Sequence, residues 1–426
     1  MPTRHSSAAP DVIVVGAGMI GSACAYYACR AGLSVTVLDR GPVAGGTTGA
    51  GEGNLLVSDK APGPELELAL LSHRLWHELP RALRAGAEFE PKGGLVVASD
   101  VTGLEALRHF AQDQTGWGVA AHEVPGDRLH DLEPHLAGGL AGAFHYPQDA
   151  QVQPALAAAA MLRASGAVLR LGEEVTALLT GPDGSVRGVR TASGAEVHAP
   201  HVVNAAGAWG GTLARLAGTD LPVLPRRGFV LVTEPLPPLI RHKVYAADYV
   251  ADVASDSATL QTSPVVEGTP AGPVLIGASR ERVGFDRTLS TEALGRLAAG
   301  AARLFPVLAG VRVMRAYTGF RPYLPDHLPA IGPDPRVPGL LHACGHEGAG
   351  IGLAPATGLL ISRFLTGSAL GTDPRPFRPE RFSPGFPGPP DSPRPPGSVA
   401  APGSAHAPRP EGPASAPAPD EPGERA

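Results

Sequence analysis

Cysteine is scarce, with three cysteines among 426 residues. Three is too few, and an odd number, for the disulfide framework of a small secreted protein. The histidines and cysteines also lack the spacings that are typical of zinc or iron–sulfur ligands. We therefore expect a reducing, cytoplasmic location and no metal site.

Runs of basic residues are also lacking. The chain carries 35 Lys and Arg against 40 Asp and Glu, a formal net charge of -5. Such a balance offers no basic patch for a nucleic-acid backbone or an anionic membrane surface. No serine stands in the nucleophile-elbow context of the α/β-hydrolases. The charge balance thus argues against nucleic-acid binding, and the lack of this serine motif argues against a serine hydrolase.

The first ten residues, MPTRHSSAAP, lack the apolar core of a secretion signal. Residues 12–29 carry no charge and have roughly the length that can span a bilayer. Three glycines interrupt this stretch, however, and its first four residues are Val and Ile. We expect a strand, a turn and a helix here, and no membrane span.

The composition changes near the C-terminus. Residues 383–426 consist mostly of Pro, Gly, Ser and Ala, which cannot bury enough apolar surface to offset chain entropy. We expect this tail and residues 1–10 to be disordered. The chain is 43% hydrophobic overall, and the roughly 370 residues left exceed the size at which a single core usually divides. Two domains are expected.

Hydrophobic periodicity predicts alternating strands and helices. Strands are expected at 11–15, 34–38, 94–98, 167–171, 229–232 and 274–276, helices at 66–83, 154–165 and 355–365, and an antiparallel meander at 186–203. This order predicts an α/β fold, α+β overall, in which the segments of two domains are interleaved.

A glycine-rich turn joins the first strand to a helix. It reads Gly16-Ala17-Gly18-Met19-Ile20-Gly21, and Asp39 ends the next strand. In such a βαβ unit the first glycine makes a tight turn and the second lets the backbone approach a pyrophosphate. The third lets helix and strand pack closely, and the acid accepts from a ribose hydroxyl. The pattern predicts a dinucleotide site, and an acid rather than an arginine argues against NADP.

The loop at 45–54 bears on the choice between FAD and NAD. It reads GGTTGAGEGN, a run of small residues and hydroxyls where a simple dehydrogenase would continue with its next strand or helix. The backbone of such a loop could follow a long ligand, which favours FAD. An NAD-dependent dehydrogenase and a plain surface loop remain alternatives.

The chain resembles the D-amino-acid oxidase (DAO) family of flavoproteins. This family includes glycine and sarcosine oxidases and the FAD subunits of opine and D-hydroxyproline dehydrogenases. The resemblance runs from about Asp11 to Leu365 through the Thr47-Thr48 loop and the motifs VIVVGAGMIGSACAYY, VVNAAGAWG, GFRPYLPDHLPAIG and GHEGAGIGLAPATG. Each motif is modest evidence, but their order along the chain is specific.

The resemblance implies a Rossmann-type FAD-binding domain interleaved with an antiparallel-sheet substrate domain. We expect the FAD-binding domain at 11–85, 146–218 and 313–370, and the substrate domain at 86–145 and 219–312. The FAD should be non-covalent, because no cysteine or histidine stands where relatives with covalent flavin carry one. Cys344, near the second glycine cluster, is interpreted as a small buried hydrophobe.

The resemblance also implies the residues that contact the cofactor. Val175 matches the position whose backbone meets adenine, and the glycine cluster at 345–352 lies before a helix with Pro355 in its first turn. The N–H groups of that helix could stabilise charge on the reduced flavin at N1 and C2=O. The implied cofactor-binding residues are Gly16, Gly18, Met19, Ile20, Gly21, Asp39, Arg40, Thr47, Thr48, Gly53, Asn54, Val175, Ala206, Gly207, Trp209, Gly348, Ala349, Gly350, Ile351 and Gly352.

Arg321 is the leading substrate residue. A planar guanidinium offers two parallel donors to a carboxylate, and relatives use the arginine of this motif in that way. The alternative for Arg321 is an ion pair with Asp326. His346 is a candidate acid or base, with a structural hydrogen-bonding role as the alternative.

The substrate pocket is expected to differ from that of glycine oxidase. In the resemblance, the strand at 260–262 corresponds to the tyrosine-bearing strand of glycine oxidase but lacks the tyrosine, so Tyr249 is the nearest candidate. Gly348 stands where glycine oxidase has an arginine. The phrases GEGNLLVSD and GHEGAGIG look closer to the dehydrogenase subunits.

We expect oxidation of a small amino acid or secondary amine: a D-amino acid, glycine or sarcosine, D-proline or hydroxyproline, or an opine. Hydride transfer to flavin N5 would give an imine that hydrolyses to an oxo acid. The electron acceptor is either oxygen or a partner redox subunit of a heteromeric dehydrogenase. A third interpretation is a non-catalytic flavin-binding protein that interacts through its Pro-rich tail.

Overall fold

The computed structural model describes residues 9–247 and 257–383. Within these ranges the α-helices are α1 (Met19–Arg30), α2 (Pro64–Glu78), α3 (Arg81–Gly86), α4 (Val101–Thr115), α5 (Leu129–Leu132), α6 (Pro154–Ser165), α7 (Gly210–Leu216), α8 (Thr291–Leu304) and α9 (Gly350–Thr366). The strands are β1 (Val12–Val15), β2 (Val35–Asp39), β3 (Asn54–Leu55), β4 (Gly94–Ala98), β5 (His122–Pro125), β6 (Gly142–Tyr146), β7 (Ala150–Gln151), β8 (Val168–Leu171), β9 (Val175–Thr180), β10 (Val186–Thr191), β11 (Glu196–His198), β12 (His201–Asn204), β13 (Leu224–Thr233), β14 (Lys243–Ala246), β15 (Gln261–Gly268), β16 (Val274–Arg280), β17 (Val313–Tyr323), β18 (Ala330–Pro333) and β19 (Leu340–Cys344).

A six-stranded sheet forms the nucleotide-binding half, in the order β18-β19-β12-β1-β2-β8. All neighbours pair in parallel except β18 and β19. β1 consists of Val and Ile and is buried on both faces, as a central parallel strand requires. Its position between β2 and β12 makes the carboxyl end of β1 a topological switch point, where α/β sheets bind ligands. The predicted Rossmann-type unit is confirmed.

An eight-stranded sheet forms the second half, in the order β17-β13-β16-β15-β14-β4-β6-β5. Its neighbours are antiparallel except β14 and β4. α8 buries Ala293, Leu297, Ala301 and Leu304 in the apolar cluster beside this sheet. The segment at 313–370, which the sequence analysis assigned to the FAD-binding domain, begins with β17. This strand pairs with β13 and therefore belongs to the second sheet.

Three predicted elements differ from the structure. The helix expected at 66–83 is divided into α2 and α3, because Pro80 has no N–H to donate and disfavours helical backbone at Leu79. The meander expected at 186–203 ends before β12, because β12 pairs with β1 and β19 in the six-stranded sheet. The helix expected at 355–365 starts at Gly350, so Pro355 lies inside α9 and not in its first turn.

The uncharged stretch at 12–29 forms β1, the glycine turn and most of α1. In the part of the chain that the structure describes, no helix is both long enough and apolar enough to cross a bilayer.

Candidate active site

A large cavity lies at the carboxyl ends of the parallel strands and extends to the second sheet. It is lined at the first sheet by residues at or just after the ends of β1, β2, β12 and β19, including Gly16, Asp39, Ala206 and Cys344. Residues of β13 and β17, including Gly228 and Arg321, line it at the second sheet. A ligand in this cavity would therefore contact both halves of the fold.

The turn before α1 requires glycine at positions 16 and 21. Gly16 has φ +117°, and a Cβ there would lie 2.3 Å from the Ala205 carbonyl oxygen. A Cβ at Gly21 would lie 1.9 Å from the Gly16 carbonyl oxygen. Gly16 and Gly18 line the cavity, whereas Gly21 does not. Gly21 instead lets α1 pack against the turn, as its place in the motif predicted.

Thr48 completes the N-terminus of α1. No side chain of α1 caps its own first turn, and the Met19 N–H donates to Thr48 Oγ1 over 2.9 Å. The Thr48 hydroxyl proton remains available for an acceptor in the cavity, which both residues line. The positive end of the helix dipole and this hydroxyl together suit an anionic group such as a pyrophosphate.

Asp39 lies at the end of β2 and lines the cavity. Its Oδ2 accepts from the Ala17 N–H over 2.7 Å, and its Oδ1 accepts from the Gly41 N–H over 2.7 Å. These two bonds fix the carboxylate against the glycine turn. Each oxygen keeps a second lone pair that a ribose hydroxyl could use.

An aromatic group, Trp209, lines the cavity. The Trp209 ring stacks on Phe285 with centroids 5.1 Å apart, and the Arg40 guanidinium carbon lies 4.2 Å from the Trp209 ring centroid. Arg40 also pairs with Glu174 at 3.3 Å, next to Val175. Arg40, Trp209, Glu174 and Val175 all line the cavity, so a flat, partly polar group fits there.

The loop at 45–54 connects the two sheets. Thr47 Oγ1 donates to the Phe320 carbonyl on β17, while Thr48 accepts from Met19 on α1. Gly319 must lack a side chain, because a Cβ there would lie 2.7 Å from the Ala50 Cβ. The loop therefore fixes the distance between the glycine turn and β17.

Arg321 extends from β17 into the cavity. Its Nη1 donates to the Ser279 carbonyl on β16 over 2.7 Å. The guanidinium crosses Gly228, where a Cβ would lie 2.1 Å from Nη1. Asp326, the alternative partner suggested by the sequence, pairs with Arg381 instead. The position suits the binding of a carboxylate.

His346 lines the cavity and is 3% exposed. The Thr357 hydroxyl donates to the Leu353 carbonyl, so it accepts from His346 Nε2 over 3.0 Å. Nδ1 is buried without a partner among the described residues. Burial lowers the pKa of His346 to about 3, so the imidazole is neutral at pH 7. The imidazole can accept a hydrogen bond at Nδ1, but its low pKa makes it a weak base.

Glu347 also lines the cavity, but its carboxylate is already paired. It forms an ion pair with buried Arg226 and accepts from His327 Nδ1 over 3.0 Å. Burial raises the pKa of Glu347, yet the His327 hydrogen bond and the Arg226 charge outweigh it and lower the pKa to about 2. Glu347 is therefore a fixed anion at the cavity wall.

Glu52 is a cavity residue that sequence reasoning missed. It stands in the middle of the glycine-rich loop, is 6% exposed and lines the cavity. Burial raises the pKa of Glu52 to about 7, against the opposing charge of Lys243. An acid among small residues in GAGEGN was the signal that could have identified it.

Most predicted cofactor residues line the cavity, but four do not: Gly21, Gly53, Ala349 and Gly352. A Cβ at Gly53 would lie 1.7 Å from the Val152 carbonyl oxygen, so this glycine permits close backbone contact. The Gly352 carbonyl accepts from Ser72 Oγ at 2.6 Å and Trp76 Nε1 at 3.2 Å, which holds α9 against α2. Tyr249 lies outside the described residues.

The chain is similar to several known proteins. The family model described as FAD dependent oxidoreductase, DAO, matches residues 11–364. The hydrogen cyanide synthase subunit HcnC of Pseudomonas aeruginosa is 30% identical over 419 residues, which cover 88% of this chain and 96% of that protein. The glycine oxidase of Pseudomonas putida is 32% identical over 381 residues, covering 87% of this chain and 98% of that one. The crystal structure of glycine oxidase from Geobacillus kaustophilus superposes with a TM-score of 0.78 at 28% identity, and covers 87% of this chain and 98% of its own.

Proposed function

Because the chain belongs to the DAO family of FAD-dependent oxidoreductases, we propose that it oxidises a small amino acid or secondary amine that carries a carboxylate. One observation carries the proposal: a single cavity joins the glycine turn before α1 to the Arg321 guanidinium. A dinucleotide and an anionic substrate can therefore meet inside it.

The residues of the cavity fit FAD, bound without a covalent link. The pyrophosphate would lie at the N-terminus of α1 with Thr48, and a ribose would lie at Asp39. The adenine would lie near Val175 and Trp209, and the flavin between the loop at 45–54 and the first turn of α9. That turn has no side-chain cap, and Gly350 and Ile351 line the cavity. The interleaved FAD-binding and substrate domains expected from the sequence are part of this proposal, except that β17 belongs with the eight-stranded sheet of the substrate domain.

Bound FAD supplies the hydride acceptor, and the protein supplies orientation. Arg321 would hold the substrate carboxylate so that the C–H bond next to nitrogen faces the flavin. The bare backbone of Gly348 and Gly228 leaves room beside the guanidinium, since a Cβ at Gly348 would already lie 3.6 Å from Arg321 Nε. The imine product would then be hydrolysed to an oxo acid.

A heteromeric dehydrogenase subunit is the second candidate. The relative HcnC is named as a subunit of hydrogen cyanide synthase, and the match covers 96% of its length. Electrons would then pass to a partner redox protein instead of oxygen. Oxygen consumption during turnover separates the two candidates, because only an oxidase consumes oxygen at the rate of substrate oxidation.

The reaction is tested by anaerobic bleaching of the bound flavin. The purified protein is mixed with glycine, sarcosine, D-proline, D-hydroxyproline, other D-amino acids and opines, one at a time. Loss of the visible flavin absorbance with one of them supports amine oxidation and identifies the substrate. A yellow protein that none of them reduces would favour a non-catalytic flavin-binding role.

The role of Arg321 is tested by Arg321→Met. We expect kcat/KM for the bleaching substrate to fall at least tenfold, about 1.4 kcal/mol, because one charge-assisted carboxylate contact is lost. The matched control is Arg315→Met, an exposed arginine of the same strand. An unchanged kcat/KM in Arg321→Met, with normal FAD content, would exclude the carboxylate role.

A further inference from the structure

Glu52 is a buried carboxylate with an unused acceptor. Its side chain lines the cavity, and the residue is 6% exposed. Oε1 is fully buried and has no hydrogen-bond partner among the residues that the structure describes. A buried carboxylate oxygen without a hydrogen-bond partner is costly, and ionisable groups perturbed by burial are concentrated at functional sites.

One strand places Glu52 beside Arg321. A Cβ at Gly277 on β16 would lie 2.3 Å from Glu52 Oε1, so the carboxylate lies directly against this glycine. Two residues further along β16, the Ser279 carbonyl accepts from Arg321 Nη1. The anionic and the cationic side chain are thus neighbours in one cavity.

The other charged groups near Glu52 act on it through space. Lys243 donates to Glu267 and to Asn54 Oδ1. Lys243, Arg280, Arg321 and Glu267 all shift the pKa of Glu52 by their charge. The Tyr317 hydroxyl donates to the Gly51 carbonyl. Burial and, after it, the nearby Glu52 charge raise the pKa of Tyr317. Lys243 therefore offsets this charge while its own hydrogen bonds go to other residues.

We propose that Glu52 binds the cationic nitrogen of the substrate and takes one of its protons before oxidation. In this step an N–H bond of the ammonium breaks and an O–H bond forms on Glu52, which leaves a neutral amine and a neutral carboxylic acid. The amine lone pair is then free to assist the loss of hydride from the adjacent carbon. This role rests on the proposed amine oxidation and makes Glu52 and Arg321 complementary to the two ends of a zwitterion.

The test compares amines with isosteres in which CH₂ or CH₃ replaces the nitrogen. The pairs are D-proline with cyclopentanecarboxylate, sarcosine with butyrate, and glycine with propionate. Anaerobic bleaching of the holoenzyme gives kcat/KM for each amine, and the shift of the flavin spectrum gives Kd for each isostere. In Glu52→Gln we expect kcat/KM for the amine to fall at least tenfold, while the isostere binds as tightly as before or more tightly, because a carboxylate no longer repels it.

The pH profile provides a second readout. Because burial raises the pKa of Glu52 to about 7, the carboxylate that binds the ammonium forms only as pH rises through about 7. We expect kcat/KM of the wild-type protein to rise over this range and that of Glu52→Gln to lack the rise. Lys243, Glu267, Arg280, Arg321 and Tyr317 are unchanged in the variant, so a rise that persists would overturn the proposal.

Two further variants separate position from folding. Gly277→Ala keeps the carboxylate but displaces it, and we expect it to lower kcat/KM as Glu52→Gln does. Glu133→Gln removes a buried carboxylate that does not line the cavity, and we expect wild-type selectivity and pH profile. Equal effects of Glu52→Gln on amine and isostere, or none on either, would overturn the role of Glu52. Failure of every amine to bleach or bind to the wild-type protein would instead overturn the proposed function on which this role rests.

Discussion

At the scale of single residues, the buried Glu52 carboxylate has a thermodynamic consequence apart from catalysis. Burial raises the pKa of Glu52 to about 7 from an ordinary value of 4.5. A carboxyl group whose folded-state pKa is raised contributes stability that is present below its unfolded pKa and is lost as pH rises through the folded pKa. Stability from this group should therefore decline between about pH 4.5 and pH 7.

Glu52→Gln removes this linkage. Relative to the wild-type protein, the free energy of unfolding of the variant should rise by up to about 3 kcal/mol between pH 4.5 and pH 8, because a neutral amide replaces a buried carboxyl group whose ionisation destabilises the folded state. Thermal or urea unfolding of both proteins at the two pH values measures the difference. Glu133→Gln is the control, and a stability difference that does not depend on pH would show that Glu52 titrates as an exposed acid does.

Single residues also show where sequence reasoning succeeds and where it fails. Gly16 was placed in the cavity by a motif whose spacing has a physical purpose, and Thr48 and Arg321 were placed there by the resemblance to the DAO family. Glu52 was missed because its position depends on β16, more than 200 residues away in the sequence, whose Gly277 accommodates the carboxylate. Burial and the loss of partners are long-range properties that a local pattern does not contain.

At the scale of elements, the contact between α1 and the glycine turn gives a direct prediction. A Cβ at Gly21 would lie 1.9 Å from the Gly16 carbonyl oxygen, and backbone atoms cannot move aside cheaply. We expect Gly21→Ala to shift α1 away from the turn, to destabilise the protein by about 1–3 kcal/mol and to weaken FAD binding at least tenfold. Titration of the apoprotein with FAD and the unfolding midpoint measure the two effects.

The control for Gly21→Ala is Gly295→Ala. Gly295 also lies within a helix, α8, but a Cβ there meets nothing within 4 Å. We expect this change to stabilise the protein by about 0.5–1 kcal/mol, because alanine loses less backbone entropy than glycine. FAD affinity equal to the wild type in both variants would contradict the packing role of Gly21.

The elements themselves were predicted best where local chemistry determines them. β1, α1, β2 and α6 match their expected positions closely, since their periodicity and flanking glycine or proline act within a few residues. β12 was misassigned because its partners, β1 and β19, are distant in sequence. α9 begins five residues before its predicted start at 355. Gly350 and Gly352 adopt helical backbone, although the glycine-rich sequence around them indicated a loop.

At the scale of the whole molecule, the loop at 45–54 connects the two sheets. This loop bonds to α1 through Thr48 and to β17 through Thr47, and Glu52 stands within it. The sequence predicted two interleaved halves and a dinucleotide site. It did not show that the loop also carries a buried acid that lines the cavity, because that depends on how the second sheet packs against it.

The composition of the C-terminal residues gives the last prediction. The five apolar clusters of the described chain draw on residues between Val12 and Phe382. Residues 388–426 are mostly Pro, Gly, Ser and Ala, a composition that supplies few apolar side chains to a core. Ending the chain at Pro387 should therefore leave FAD content and kcat/KM unchanged and the melting temperature within about 2 °C.

A shorter chain provides the contrast. Ending the chain at Leu370 also removes Phe377, which is 2% exposed and belongs to the same apolar cluster as Ile331 and Leu360. It removes Arg381 as well, which pairs with Asp326. Loss of the Phe377 contacts alone should cost about 3–5 kcal/mol, because a large buried side chain leaves a cavity. Differential scanning calorimetry and flavin content of the two chains decide the matter: a Pro387 chain that loses FAD or melts as early as the Leu370 chain would place part of the folding energy beyond residue 387.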